Sequence, residues 1–434
     1  MSNLLLTGGT VIPVTGDGRI YDPGEVAIGG SEILSVGPPG DAQARGWQPD
    51  RVIRAEGKLV LPGFINSHTH AAMSLFRGYG DDLPLQEWLE EKIWPMEEKL
   101  TADAVYWGTM LAIAEMLRCG VTTFADMYFF PEAIAQAVTE TGIRASIAPG
   151  LVGTRSDSAA NLRSAIRFCS EWDGGASGRI TTMLGPHAPY TCPPDFLQAV
   201  LTAARELEVG IHIHLAETRV EVKNIGEKYG LSPIAYLFAQ NCEDIHILAA
   251  HCVHVDGPDI DMLAAGKVHV SHNPGSNLKL ASGIAPLPQL LEKGVPVALG
   301  TDGASSNNNL DLLEEARLAA LIHKGYTGRP TVVAAQKALE MATIEGAAAL
   351  KLAGQCGCLQ PGLKADVILL NREQPHMYPK VNPLSGLIYS ARSSDVELVI
   401  VNGEIVLENG QYCTLDLEKV MYMAERTSKE LLGL

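Results

Sequence analysis

From Leu59 onward, short apolar runs of the kind that form buried strands alternate with long stretches of helical periodicity, and this alternation constrains the fold more than any other feature of the chain. The runs are Leu61–Ser67, Val121–Asp126, Arg144–Ala148, Ile180–Gly185, Val209–Leu215, Ile245–Ala250, Val268–Ser271 and Val295–Gly300. A helix between two strands returns the chain to the same end of the sheet, so the strands run parallel and must be covered on both faces. Eight such units suit closure into a (β/α)8 TIM barrel.

The flanks read differently. Leu4–Leu6, Val11–Val14, Glu25–Ile28 and Glu32–Val36 are short β-rich runs separated by Gly turns, predicting a small antiparallel sheet. After Leu363 the β-runs return at Ala365–Leu370, Val396–Val401 and Glu404–Leu407. Either end alone leaves open edges and too few strands for stability, so the two are expected to pair as one small discontinuous β-sandwich domain. The expected division is 1–57 and 361–434 for that domain, the latter with a terminal helix, around a barrel at 58–360.

Composition narrows the function. A net charge of -17, with no run of Lys or Arg to track phosphates, argues against nucleic acid and anionic membranes as partners. No apolar stretch reaches the roughly 18 to 20 residues that span a bilayer, and Met1 to Thr10 lacks the features of a secretory signal, so a cytoplasmic protein is expected. The eight cysteines are scattered and are expected to be reduced.

Polar residues gather where the strands end, the rim at which barrel enzymes carry their chemistry. The first strand ends Asn66-Ser67-His68-Thr69-His70, and period-two alternation places His68 and His70 on one face. The fifth ends His212-Ile213-His214-Leu215-Ala216-Glu217 and the eighth Gly300-Thr301-Asp302-Gly303. Three neutral imidazoles from His68, His70 and His214 with the Asp302 carboxylate suit one divalent ion, Zn²⁺ first and Fe²⁺ second, and leave room for an activated water as nucleophile. His212 shares the inward face one layer deeper, which suits a packed, hydrogen-bonded role. Glu217 is the expected general acid/base, and His251, ending the sixth strand, is placed to hydrogen-bond the attacking water or a tetrahedral intermediate. His187, ending the fourth, can contact a substrate edge, and His272, ending the seventh, is a candidate for the pocket wall.

With these residues in place the chain resembles the amidohydrolase superfamily over nearly its whole length, from Gly8-Gly9-Thr10 through Leu61-Pro62-Gly63-Phe64-Ile65-Asn66-Ser67-His68-Thr69-His70 to Leu363-Lys364-Ala365-Asp366-Val367. No Lys ends the fourth strand, where binuclear members carry a bridging carboxylated lysine, which implies a single metal. Glu87-Trp88-Leu89, Ser271-His272-Asn273-Pro274-Gly275-Ser276-Asn277-Leu278-Lys279-Leu280 and Thr301-Asp302-Gly303-Ala304-Ser305-Ser306-Asn307-Asn308 are most similar to the 5′-methylthioadenosine/S-adenosylhomocysteine deaminases. That resemblance implies hydrolysis of the exocyclic amine at purine C6 in a homo-oligomer. Glu217 would move protons to the ring nitrogen, and His251 with Asp302 would orient the nucleophile. Trp88 would pack on the nucleoside, Glu97 would accept from the ribose hydroxyls, and His187 would contact the substrate from the other side.

One departure concerns the substrate's tail. Some relatives carry an arginine directly before Gly-Leu-Val, suited to an amino-acid carboxylate, where this chain has Pro149; Arg155 is the nearby substitute, and S-adenosylhomocysteine is the weaker substrate candidate. The same metal kit serves deamination of guanine, cytosine or pterin, and triazine dechlorination. A catalytically silent scaffold has no need of so many converging polar groups.

Overall fold

The computed structural model describes residues 3–44 and 46–434; Met1, Ser2 and Arg45, which the expected 1–57 segment includes, lie outside the described residues. Its strands form two sheets. The terminal sheet contains β1 (Leu4–Val11), β2 (Tyr21–Gly29), β3 (Glu32–Gly37), β4 (Arg51–Arg54) and β5 (Lys58–Pro62). The barrel contains β6 (Phe64–Thr69), β7 (Val121–Tyr128), β8 (Arg144–Leu151), β9 (Ile180–Pro186), β10 (Gly210–Leu215), β11 (Ile247–His251), β12 (Val268–His272) and β13 (Val297–Leu299). Four C-terminal strands rejoin the terminal sheet: β14 (Val367–Asn371), β15 (Val396–Val401), β16 (Glu404–Glu408) and β17 (Gln411–Tyr412).

The barrel strands pair in sequence order and in parallel from β6 to β13, as the alternation predicts. The first and last strands meet through specific groups. Asp302 N–H donates to His68 O at 2.9 Å, Ser67 Oγ donates to Leu299 O at 2.8 Å, and the Asn66 amide donates to Thr301 Oγ1 at 2.8 Å while accepting Thr301 N–H at 3.0 Å. The closing seam of the barrel therefore runs directly through two of the candidate ligands. Ile65, Ala125, Met183, Leu248 and Ala298 share one buried cluster with Leu350 and Leu352, which fills the barrel away from that rim.

The expected strand Leu61–Ser67 is two elements. β5 pairs with β14 in the terminal sheet, and β6 opens the barrel after Gly63, where a side chain would strike Thr122: a Cβ would lie 2.1 Å from its Oγ1. An unbroken apolar run thus hides a handover between sheets. Likewise Leu4–Leu6 and Val11–Val14 are not two strands, because β1 continues through Thr7-Gly8-Gly9 by shifting register against β2. The terminal sheet is also not purely antiparallel, since β1 pairs in parallel with β4 along Leu4–Thr7 and with β5 at Thr10–Val11. It curls until its halves meet, with Ile33 N–H on Leu363 O at 2.8 Å and Ala365 N–H on Ser31 O at 2.9 Å. Leu6, Val26, Ile28, Val367, Leu369 and Ile400 share its core.

A buried ion pair ties the two bodies together. Arg144, at the start of β8, donates from Nε and Nη2 to the two oxygens of Asp366 at 2.9 and 3.2 Å, and Asp366 Oδ1 also accepts Asn402 N–H at 2.6 Å. Asp366 belongs to the Leu363–Val367 motif, so that motif is a joint between barrel and sheet. Among the described residues, no helix is long and apolar enough to cross a membrane.

Candidate metal centre and active-site cavity

Three of the strand ends that carry site residues turn through left-handed backbone at non-glycine positions: Ala216 (φ 49°), His251 (φ 75°) and Asp302 (φ 62°). Such conformations persist only where the surroundings enforce them, and they concentrate at functional sites. Here they bend the chain over the rim.

The imidazoles are held by the nitrogen that faces away from the centre. His70 Nδ1 donates to Met127 O at 2.6 Å, and His214 Nδ1 donates to His187 O at 2.8 Å. Each Nε2 is thereby left with its lone pair, and the two Nε2 atoms face one another at 3.2 Å. His68 Nε2 and His70 Nε2 each lie 3.3 Å from Asp302 Oδ1, and His68 Nε2 is buried without a hydrogen-bond partner. Converging lone pairs repel unless a cation lies among them. Burial pushes the His68 pKa down to about 4 and that of His214 well below the usual histidine range, which keeps both in the neutral form a metal requires. His68, His70 and His214 form one potential ligand group, and His68, Asp302 and His251 a second that shares His68. The donor set fits a divalent ion.

The supporting groups set orientation. His68 Nδ1 lies 2.7 Å from His212 Nε2, so His212 sits behind this candidate ligand, in the packed role its depth suggests. Asp302 Oδ2 accepts from Ser276 Oγ at 2.6 Å and Ser306 Oγ at 2.9 Å, which leaves Oδ1 for the centre. Burial would raise the Asp302 pKa, but His68 at 3.3 Å and the surrounding histidines hold it well below the usual range.

Glu217 stands beside this centre. Its Oε1 accepts from Ser282 Oγ at 3.1 Å, its Oε2 lies 3.8 Å from His251 Nε2, and burial raises its pKa. His251 Nδ1 is 2.8 Å from Asn277 Oδ1. Burial would lower the His251 pKa, yet Glu217 and Asp302 raise it overall.

These groups open into a cavity of about 610 Å³, whose wall includes His70, Trp88, Glu97, Arg155, His187, His214, Glu217, His251 and Asp302. All of the expected site residues therefore line this cavity except His68, which is fully buried behind the wall and meets Asp302 from there. Trp88 Nε1 is buried and unpartnered. Glu97 is only partly exposed, and burial raises its carboxyl to about 7 against the opposing effects of Tyr128 and Arg155. His187 Nδ1 is 3.0 Å from Thr191 Oγ1, and Arg155 is half exposed and 3.4 Å from Asp157 Oδ1. His272 is not in the wall. It is buried with its Nε2 3.2 Å from His323 Nε2, on the helix Leu312–Thr327, so ending a barrel strand did not suffice to reach the cavity.

Glu221 and Tyr128 were missed. Glu221 carries a readable signal, the Thr218-x-x-Glu221 spacing of a helix start; Thr218 Oγ1 accepts Glu221 N–H at 3.1 Å where the helix Arg219–Tyr229 begins. Tyr128 lies two residues past the expected end of its strand at Asp126, on the same face by alternation.

Residues 59–406 match the model of the amidohydrolase family. The chain is 50% identical to a protein of Pelotomaculum thermopropionicum named 5-methylthioadenosine/S-adenosylhomocysteine deaminase, over 100% of both chains. Among solved structures, an adenosine deaminase from Xanthomonas campestris with bound zinc superposes with a TM-score of 0.96 at 32% identity, over 100% of this chain and 99% of that one. Atrazine chlorohydrolase from Arthrobacter aurescens, complexed with zinc, superposes with a TM-score of 0.89 at 26% identity, over 98% and 100%. By its barrel, its rim of histidines and aspartate, and these matches, the chain belongs to the amidohydrolase family.

Proposed function

We propose that the chain is a hydrolytic deaminase of adenosine-type nucleosides, 5′-methylthioadenosine, S-adenosylhomocysteine and adenosine among them, releasing ammonia and the inosine analogue. The observation that carries this reading is the placement of Glu217 beside the three-histidine, one-aspartate cluster, in a cavity whose wall also holds Trp88 and Glu97. His68, His70, His214 and Asp302 would hold one divalent ion, zinc by the donor set and by the zinc in the solved relatives, with Fe²⁺ compatible. When bound, the ion lowers the pKa of water and supplies a nucleophile near neutral pH.

The remaining work falls to side chains. His251 and Asp302 orient the attacking water. Glu217, steadied at Oε1 by Ser282, takes a proton at Oε2 and delivers it to the purine ring nitrogen as the amine-bearing carbon becomes tetrahedral. Trp88 packs on the nucleoside, Glu97 accepts from the ribose, His187 contacts the opposite edge, and Arg155 is the candidate for a charged tail. The rest of the reading is a catalytic barrel within the expected 58–360, opening at β6 after Gly63, set within a terminal-sheet domain, in a cytoplasmic homo-oligomer.

A product-resolved screen with matched metal analysis tests the assignment. Adenosine, 5′-methylthioadenosine and S-adenosylhomocysteine should release ammonia in preference to guanine, cytosine, pterins and chlorotriazines. Turnover of a free base or a triazine alone would overturn it in favour of a relative using the same centre on another ring.

A further inference from the structure

One polar group in the cavity wall takes no part in the reaction above. Tyr128 ends β7, is 3% exposed, and rests its ring against His70 at a centroid distance of 6.1 Å. Its hydroxyl is buried beside the Glu97 carboxyl, close enough to interact with it but with no well-formed hydrogen bond to any protein group, and the residue lies in the cavity wall. A buried tyrosine O–H ordinarily has a partner, because removing it from water without replacing the hydrogen bond costs free energy. Two groups stand within its reach, the Glu97 carboxyl and an oxygen of whatever fills the cavity beside them.

The wall at this point offers a carboxyl that can accept twice and, next to it, an O–H that can donate once. A vicinal diol complements that pair, since both of its hydroxyls can donate to the carboxylate while one oxygen accepts through a lone pair. Glu97 alone would satisfy any donor. A donor aimed at a hydroxyl oxygen also distinguishes that hydroxyl from a C–H, because the analogue lacking it leaves the protein group unpaired.

We propose that Tyr128 is a specificity-determining, substrate-binding residue whose hydroxyl donates to one ribose hydroxyl oxygen while Glu97 accepts from the diol, so that the pair selects ribonucleosides over deoxyribonucleosides. The proposal rests on the nucleoside reading above and adds a second hydrogen bond to the diol, whose loss in a deoxy analogue adds to the discrimination Glu97 supplies.

The test is kcat/KM for 5′-methylthioadenosine and its 2′-deoxy and 3′-deoxy analogues, on wild type and Tyr128→Phe of equal metal content. Wild type should prefer the ribonucleoside over at least one analogue by about tenfold or more. Tyr128→Phe should lose about tenfold on the ribonucleoside and under about twofold on that analogue, whose missing hydroxyl has already removed the contact. Equal losses on all three substrates, or no loss on the ribonucleoside, would overturn the proposal. So would equal turnover of all three by wild type, whatever the behaviour of the variant. Wild type that releases no ammonia from any of them sinks the nucleoside reading itself, whereas normal deamination with the wrong pattern removes only the role of Tyr128.

Discussion

Glu221 holds the backbone that carries Glu217: its Oε2 accepts Glu217 N–H at 2.8 Å and its Oε1 accepts Ala216 N–H at 3.0 Å. Two consecutive amides on one buried carboxylate fix the turn after β10, where Ala216 is left-handed. The proposed proton carrier is thus aimed by a side chain one helical turn away. Glu221→Ala leaves both amides unpaired, and we expect kcat to fall about 10- to 100-fold with metal content unchanged, since misplacing a reacting group costs on that scale. Glu221→Gln, which can still accept one of the two bonds, should recover part of the loss. Full activity in Glu221→Ala would show that the turn holds itself.

Glu217→Gln keeps size and reach but cannot accept a proton. We expect metal to remain bound while kcat falls by roughly 10²- to 10⁴-fold. His214→Ala should differ in kind, losing metal and activity together because it removes one of the converging lone pairs. Loss of metal from Glu217→Gln would make Glu217 a ligand; activity within about tenfold of wild type would pass its role to His251.

The pH dependence should carry the mark of Glu97. Burial raises its carboxyl to about 7 in the free cavity, so the acceptor form prevails only above that pH. If the carboxylate binds the ribose, kcat/KM for a ribonucleoside rises as pH increases through about 7. Glu97→Gln, which does not titrate, should lose that limb and show a higher KM with unchanged metal. Profiles of identical shape for the two proteins would remove Glu97 from ribose binding.

Stability should depend on the joint between barrel and terminal sheet. The side chains of Arg144 and Asp366 are 2% and 3% exposed. Arg144→Met leaves a buried carboxylate without its cation, which should cost about 3–5 kcal/mol, read as a lower urea midpoint. A cost below about 1 kcal/mol would mean that Asn402 N–H and relaxation suffice for Asp366.

The barrel was legible in the sequence because eight buried parallel strands leave eight apolar runs at regular intervals, and because period-two alternation sets His68 with His70 and His212 with His214. Less legible was whatever depends on where a run stops pairing. Leu61–Ser67 conceals a change of sheet at Gly63, and β1 crosses a Gly-Gly that looks like a turn, since neither the approach of Thr122 nor a register shift leaves a trace in hydropathy. His272 shows the same limit within the site: its position at a strand end matches that of the candidate ligands, but its ring meets His323 on the helix Leu312–Thr327, a contact far away in sequence.

The most direct measurement is turnover of 5′-methylthioadenosine by metal-loaded protein in ¹⁸O-labelled water, with ammonia and nucleoside product quantified together. The account predicts one ammonia per nucleoside consumed, an inosine-type product with the ribose intact and one ¹⁸O at C6, and loss of the reaction when the metal is removed. A product cleaved at the glycosidic bond, an unlabelled product, or no ammonia from fully metal-loaded protein would contradict it.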